Sequence, residues 1–272
     1  MPLVYLNGEL VEEADAKISV FDHGLVTGDG VFESVVVRRG RPFALRRHLA
    51  RLGRSAAAIG LEAPPSQELA AAVEDVVAAA GFEFGKIRLT VTGGLGPLGS
   101  GRAKSCPTVV VAVEQLAEPS PSVAVVVVPW ARNDKGALSG AKTISYAENV
   151  VALAYAREKG AEEALFLNTA GELCEGSGTN VFLGIEGELV TPPLSAGCLA
   201  GVTRSLVMES VAVTERRLPR RELERAEELF LTSTTRGVHP VREIDGRPLS
   251  WPGPLTSQAA RAFGALIRAG QA

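Results

Sequence analysis

The stretch Leu138–Gly160, LSGAKTISYAENVVALAYAREKG, sets one lysine, Lys142, between small residues and Tyr146, just ahead of a run with helical spacing. The spacing predicts a helix over 150–158, with Ser145 placed to cap it. A solvated lysine belongs on the polar face of such a helix. Where tight packing gives way to helix, the small residues hold the backbone close and aim the amine. A buried lysine has a lowered pKa and becomes a nucleophile. The rest of the chain has to distinguish these two readings.

The chain has 272 residues, enough for one large domain or two moderate ones, each with a substantial core. Hydrophobic residues make up 46%, charged residues 22%, and the formal net charge is −3. That balance leaves no basic footprint for nucleic acid or an anionic membrane, so a small-molecule partner is expected. The opening MPLVYLNGELVEEADAKISV lacks a basic start followed by an apolar core, and no apolar run reaches spanning length. A cytoplasmic protein is expected. Cys106, Cys174 and Cys198 are far apart and show no metal-ligand spacing, so neither a zinc site, nor any other metal, nor a disulfide framework is indicated.

The first half reads as strands, then helices, then strands. LVYLNGELV is a hairpin around Asn7-Gly8, and VFESVVVRRGRPFAL is another around Arg39-Gly40. Leu49, Leu52, Ala56 and Ile59 recur at helical spacing, with Gly60 as a C-cap, and Ser66 to Ala80 is a second helix. KIRLTVTGG and TVVVAVEQL return to strand character across the glycine-rich loop from Gly93 to Arg102. The polar, proline-containing stretch AEPSPS, 117–122, is the expected linker. Beyond it come a buried strand, VAVVVVPW, the helix after Lys142, and hairpins turning at Thr169 to Gly171 and at Glu186-Gly187. The helices TRSLVMESVAV and RELERAEE and the strand LFLTST follow. The fold class is α/β in the broad α+β sense: an N-terminal α+β domain over 1–116, a linker at 117–122 and a C-terminal domain over 123–272.

If Lys142 forms a Schiff base with a carbonyl cofactor such as pyridoxal phosphate, the chain must also supply a carboxylate for the pyridine nitrogen and a clamp for a phosphate dianion. Glu175 closes an apolar strand in ELCEGSGTNVF, followed by Gly176, Ser177 and Gly178, which let the backbone approach a flat ligand. A strand-end glutamate facing water reads the same way. LAGVTRSLVMES runs from glycine into a helix, so Val202 and Thr203 offer backbone N–H groups, and Thr203 a hydroxyl, at a positive helix end. An ordinary threonine N-cap is the plainer alternative. Thr234 sits in a hydroxyl cluster after a strand, and Arg51 shares a helix with His48 and is suited to bidentate phosphate binding.

None of these features is specific alone, but their order is. From FDHGLVTGDGVFESV through HLARL, AKTISYAENV, CEGSGTNVF and LAGVTR to TSTTRGVHPV, the chain resembles the fold-type IV pyridoxal-phosphate enzymes, the class-IV aminotransferase superfamily. That group includes branched-chain and D-amino acid aminotransferases, R-selective amine transaminases and 4-amino-4-deoxychorismate lyase. The resemblance implies a small N-terminal domain, a larger barrel-like C-terminal domain that binds pyridoxal 5'-phosphate, and a homodimer. It makes Lys142 the Schiff-base lysine and proton shuttle, and Glu175 the pyridine partner. Arg51, Val202, Thr203 and Thr234 become phosphate ligands.

For the reaction, the D-amino acid enzymes share a tyrosine shortly before the GDGV motif and an Arg-x-His pair in the glycine-rich loop. This chain has Leu25-Val26-Thr27 and a lone Arg102. Branched-chain enzymes carry a tyrosine where this chain has Thr27 and a Gly-Thr-Ala-Ala-like loop where it has Ser233-Thr234-Thr235-Arg236. AKTISYAENV with GDGVFES looks most like the aminodeoxychorismate lyases, which release pyruvate to form p-aminobenzoate. That lyase reaction is the first expectation, and transamination of branched-chain, D-amino acid or chiral amine substrates is the second. Arg88, Arg102 and Arg236 are candidate anchors for substrate carboxylates. Thr27, Tyr146 and Thr235 are candidate pocket residues.

Overall fold

The computed structural model describes residues 3–270. The chain divides into two compact units, and the division falls between Glu118 and Pro119, inside the proline-containing stretch. It also assigns Ala141–Ser145 to the first unit, although the sequence reading placed those residues in the second domain.

In the first unit, β1 (Leu3–Leu6) and β2 (Glu9–Glu12) turn at Asn7-Gly8, whose φ angles of 50° and 107° suit the expected tight turn. The short α1 (His23–Val26) precedes β3 (Gly30–Arg38) and β4 (Arg41–Pro42). Two helices follow, α2 (Leu45–Ala58) and α3 (Ser66–Ala80), then β5 (Phe84–Thr92) and β6 (Val109–Gln115). The antiparallel sheet has the order β2-β1-β6-β5-β3-β4. Leu49, Leu52 and Ala56 of α2 join Leu69, Val73 and Val76 of α3 in one buried cluster with Val35, Ile87, Leu89 and Val111 of the sheet. Each fully buried Leu or Val in such a core is worth about 2 kcal/mol. The expected glycine stop is displaced by one position: Ile59 is the C-cap of α2, and Gly60 follows it at φ +64°.

β4 pairs only with the far end of β3, at Val37 and Arg38, so the opening residues of β3 have an edge to fill. The segment Ala141–Ser145 fills it. Phe32 N–H donates to the Lys142 carbonyl at 3.1 Å, Ile144 N–H donates to the Gly30 carbonyl at 3.0 Å, and Thr143 bridges Val31.

The second unit begins with β7 (Val123–Val127), followed by α4 (Ala147–Glu158), β8 (Glu163–Leu167), β9 (Leu173–Gly176), β10 (Asn180–Ile185) and β11 (Glu188–Thr191). Next come α5 (Val202–Ser210), β12 (Thr214–Glu215), α6 (Arg221–Arg225), β13 (Glu228–Ser233), β14 (Gly237–Ile244), β15 (Arg247–Pro248) and α7 (Pro254–Ala269). Its nine strands form one half-barrel sheet, ordered β12-β11-β10-β13-β14-β7-β8-β9, with β15 paired to β14. β7 lies parallel to both neighbours, and α4 supplies the long crossover that a parallel β7–β8 pair requires. Phe182 and Phe230 stack on one face of this sheet with ring centroids 4.8 Å apart, and Val181, Leu183, Leu229 and Leu231 join the buried cluster on the other face.

α4 starts three residues before the expected Val150. Its N-cap is Tyr146, without a side-chain capping bond. Ser145 therefore does not cap this helix; its hydroxyl donates to the Gly28 carbonyl at 3.0 Å. Among the described residues no helix is long and apolar enough to cross a membrane.

Candidate active site

In the first unit, the edge pairing that holds the Lys142 carbonyl is completed by Ser55, whose hydroxyl oxygen accepts the Lys142 N–H at 3.0 Å. With the backbone fixed on both sides, the side chain runs over Phe32, and Nζ lies 4.1 Å from the ring centroid. The Arg88 guanidinium lies over the same ring at 3.7 Å. Such contacts attract the cation to the ring's electron-rich face.

Beside Phe32 on β3, Glu33 is completely buried. Arg51 binds it through two parallel bonds, Nε to Oε1 and NH2 to Oε2, both 2.7 Å, and His48 Nδ1 donates to Oε2 at 2.8 Å. His48 and Arg51 reach the same carboxylate because they lie three residues apart on one face of α2. Burial pushes the Glu33 carboxyl up, but the bonds and charges of Arg51 and His48 outweigh it and hold the pKa at about 2. Burial also lowers the His48 imidazole below its ordinary value, against the raising effect of Glu33. Arg51, expected as a phosphate ligand, is thus fixed by a carboxylate that the sequence reading did not single out.

Two other expected residues, Arg102 and Thr27, are committed locally. Arg102 forms a bidentate pair with Asp29, at 2.6 and 2.5 Å, and donates to the Gly60 carbonyl at 2.5 Å. The glycine-rich loop around it is also tied down: His23 N–H donates to the Gly94 carbonyl, Gly96 N–H donates to the Phe21 carbonyl, and His23 Nε2 meets the Pro97 carbonyl at 2.9 Å. Thr27 ends α1, its hydroxyl donating to the His23 carbonyl. In the second unit, His239 is buried and bonded to the Ser120 carbonyl.

Glu175 lies on β9 with its side chain 16% exposed. Leu199 N–H donates to Oε2 at 2.9 Å, and Arg132 Nε lies 3.6 Å from Oε1. Arg132 is itself stacked on Phe166 at 3.9 Å and paired with Glu148 and Asn149. The bond to Leu199 connects Glu175 to the start of α5. There Asn180 donates to the Leu199 carbonyl at 2.8 Å, and a side chain at Gly201 would strike Asn180 Oδ1 at 1.9 Å.

Gly201, not Thr203, is the N-cap, and it supplies no side-chain bond, so Val202 and Thr203 occupy the first two helical positions with their N–H groups beyond the reach of intrahelical acceptors. Thr234 and Thr235 lie in the turn between β13 and β14, where Arg236 N–H donates to Ser233 Oγ. The Arg236 guanidinium reaches Glu163 at 2.5 Å, and Tyr146 donates from its hydroxyl to the Ser177 carbonyl at 3.2 Å. The sequence reading passed over Arg132, Glu163 and Asn149. The available signal was charge or amide embedded in apolar runs, as in PWAR and EEALFL.

These residues fit pyridoxal phosphate. The uncapped start of α5 suits a dianion. Buried hydroxyls without a protein partner stand on Thr179 and Thr232, and Asn180, the residue after Thr179, pairs with Thr232 across the sheet. Glu175 offers a carboxylate of the kind a ring N–H would need, on a side chain 16% exposed. A side chain at Gly178 would meet only the Tyr146 hydroxyl, at 3.9 Å, leaving room for a flat group over the backbone.

Residues 30–244 match the amino-transferase class IV family. A putative branched-chain-amino-acid aminotransferase of Methanocaldococcus jannaschii is 36% identical over 261 residues, covering 91% of this chain and 89% of that protein. The D-alanine aminotransferase of Bacillus licheniformis is 30% identical, covering 96% and 95%. The crystal structure of the branched-chain aminotransferase of Thermoproteus uzoniensis with norvaline superposes with a TM-score of 0.93 at 33% identity, over 99% of this chain and 95% of that one. With the match running from β3 to the end of β14, and with relatives aligned over nearly their full lengths, the chain belongs to the class-IV aminotransferases, the fold-type IV group of pyridoxal-phosphate-dependent enzymes.

Proposed function

We propose that this protein is a transaminase that moves the amino group of a branched-chain amino acid to a 2-oxo acid. The sequence reading ranked the lyase reaction first. The comparisons give it no support and favour transamination, since the relatives are named as branched-chain and D-alanine aminotransferases. One observation favours the branched-chain reading over the D-amino acid one. Arg102, the lone arginine of the glycine-rich loop, is held by Asp29 and the Gly60 carbonyl instead of heading a substrate-carboxylate trap.

Bound pyridoxal phosphate supplies a reactive carbonyl and a conjugated ring that accepts electron density from the substrate's α-carbon. Lys142 carries the amine that anchors the cofactor's carbonyl carbon and moves the substrate's α-proton. Its backbone is bonded on both faces, so the amine works from a fixed base. Glu175 accepts the pyridine N–H, with Leu199 N–H and Arg132 orienting its carboxylate. Val202, Thr203, Thr234 and Arg51 bind the phosphate, the first two through the backbone N–H groups at the start of α5. Tyr146 and Thr235 line the substrate pocket.

The resemblance also implies a homodimer. Val20, Phe21, Leu25 and Leu95 of the first unit and Val150 and Val151 of the second expose more than half their surface, as residues covered by a partner would in a single chain.

The test is to incubate the purified holoenzyme with L-leucine, L-isoleucine, L-valine, D-alanine or 4-amino-4-deoxychorismate, each with a panel of 2-oxo acids. Amino transfer from the L-branched substrates is expected to be fastest, and Lys142→Ala is expected to abolish it. Release of p-aminobenzoate without amino transfer would overturn the proposal in favour of the lyase.

A further inference from the structure

Glu163 takes part in none of the chemistry above, yet it is one of the most enclosed charges in the second unit, at 1% exposure. It opens β8, and its two oxygens face different partners. Oε2 receives the Arg236 guanidinium at 2.5 Å. Oε1 receives the Ser177 N–H at 3.1 Å, the Ser177 hydroxyl, and the N–H of Ala164. The Ser177 carbonyl in turn accepts from Tyr146 and Asn149.

On the function proposed above, the partners adjoin in sequence the residues assigned to the two ends of the cofactor. Ser177 comes two residues after Glu175, which meets the pyridine nitrogen. Arg236 comes two residues after Thr234, which meets the phosphate. An ion pair with one member enclosed, here Glu163 at 2% against Arg236 at 25% side-chain exposure, is a poor way to add stability, because desolvating charge offsets most of the attraction. It is a good way to fix geometry, because removing either member leaves the other unsatisfied.

We propose that Glu163 is a positioning residue that sets the spacing between the pyridine end and the phosphate end of the site, acting through Ser177 and Arg236. Arg236, expected from the sequence to meet a substrate carboxylate, serves this brace. The inference rests on the assignment of Glu175 and Thr234 as cofactor contacts.

A brace between two ends matters most to a ligand that touches both. Pyridoxal phosphate does so, whereas pyridoxal, lacking the phosphate, engages one end. The experiment measures the affinity of the wild-type apoenzyme and of Glu163→Gln, Arg236→Met and the double variant for each compound by equilibrium dialysis, with apoenzyme melting temperatures alongside. Each single variant is expected to weaken pyridoxal phosphate on the order of tenfold, by analogy with outer partners of metal ligands, and to weaken pyridoxal much less. The double variant should be no worse than the more affected single one, because one connection is cut in all three.

An unchanged ratio of the two affinities overturns the proposal, whatever happens to the melting temperature, since a purely structural staple lowers stability without discriminating between the ligands. If Glu163→Gln does not fold, Ser177→Ala and Arg236→Met carry the same ratio test. A wild-type protein that fails to hold pyridoxal phosphate defeats the cofactor assignment instead, so the two failures are distinct.

Discussion

Glu33 and Glu175 are both strand glutamates facing an arginine, one in each unit, and they are used in opposite ways. Glu33 is fully enclosed and takes two bonds from Arg51 and one from His48. Glu175 keeps 16% of its side chain exposed and is approached by Arg132 at 3.6 Å, outside hydrogen-bonding distance. The first carboxylate holds the protein's own Arg51 and His48 in place, and the second, on the function proposed above, takes a ligand's N–H. Residual exposure, more than the presence of a charged partner, separates the two roles.

The largest effect expected from this comparison is on Glu33. Glu33→Ala leaves Arg51 and His48 buried without their acceptor, which costs about 3–5 kcal/mol. It should appear as a collapse of the urea midpoint or loss of the folded protein. The same site contributes to acid sensitivity. The folded Glu33 pKa lies below its unfolded value, at about 2 against 4.5, so its contribution is present above about pH 4.5 and is lost as the pH falls towards 2. The loss is on the order of 3 kcal/mol and should be absent from Glu33→Gln. A wild-type stability curve that stays flat across that window would break the contrast between the two carboxylates.

Glu175→Gln should behave in the reverse manner. Transamination falls on the order of a hundredfold or more through loss of the charge facing the ring nitrogen, while the melting temperature moves by only a degree or two. A large drop in stability with activity intact would make Glu175 a second Glu33. The smallest effect belongs to Arg102→Met. Its pair with Asp29 is partly exposed and worth about 0.2–1 kcal/mol. Activity on L-branched substrates should change less than threefold, whereas a large rise in KM with kcat unchanged would return Arg102 to the substrate pocket.

Much of this was legible in the sequence because turns and helix ends have local causes. Asn7-Gly8, Arg39-Gly40 and Glu186-Gly187 are turns wherever they fall between alternating strands, and Ser66 to Ala80 folds as read. β14 and α7 were left out. Pro240 interrupts the run that becomes β14, and Gly264 sits inside the helix of α7, so both carry residues that argue against the element tertiary contacts impose. Lys142, Glu175 and the α5 start were visible as ordered motifs. Glu33, Arg132 and Glu163 were not, because their roles come from partners 18, 43 and 73 residues away in sequence (Arg51, Glu175 and Arg236). The Ser145 cap failed for the same reason: Gly28, 117 residues distant, claims the hydroxyl.

The five residues Ala141–Ser145 carry a consequence for how this protein can be divided. They belong with the first unit although the chain on either side of them belongs with the second, so the backbone changes unit at Glu118, at Gly140 and again at Ser145. A gene cut at the proline-containing stretch yields one fragment with a bare edge at the start of β3 and another carrying Lys142 away from the strand that seats it. The chain is not divisible at the seam the sequence advertises: Lys142 is seated on a strand from the far side of that seam, and only an uncut chain keeps it there.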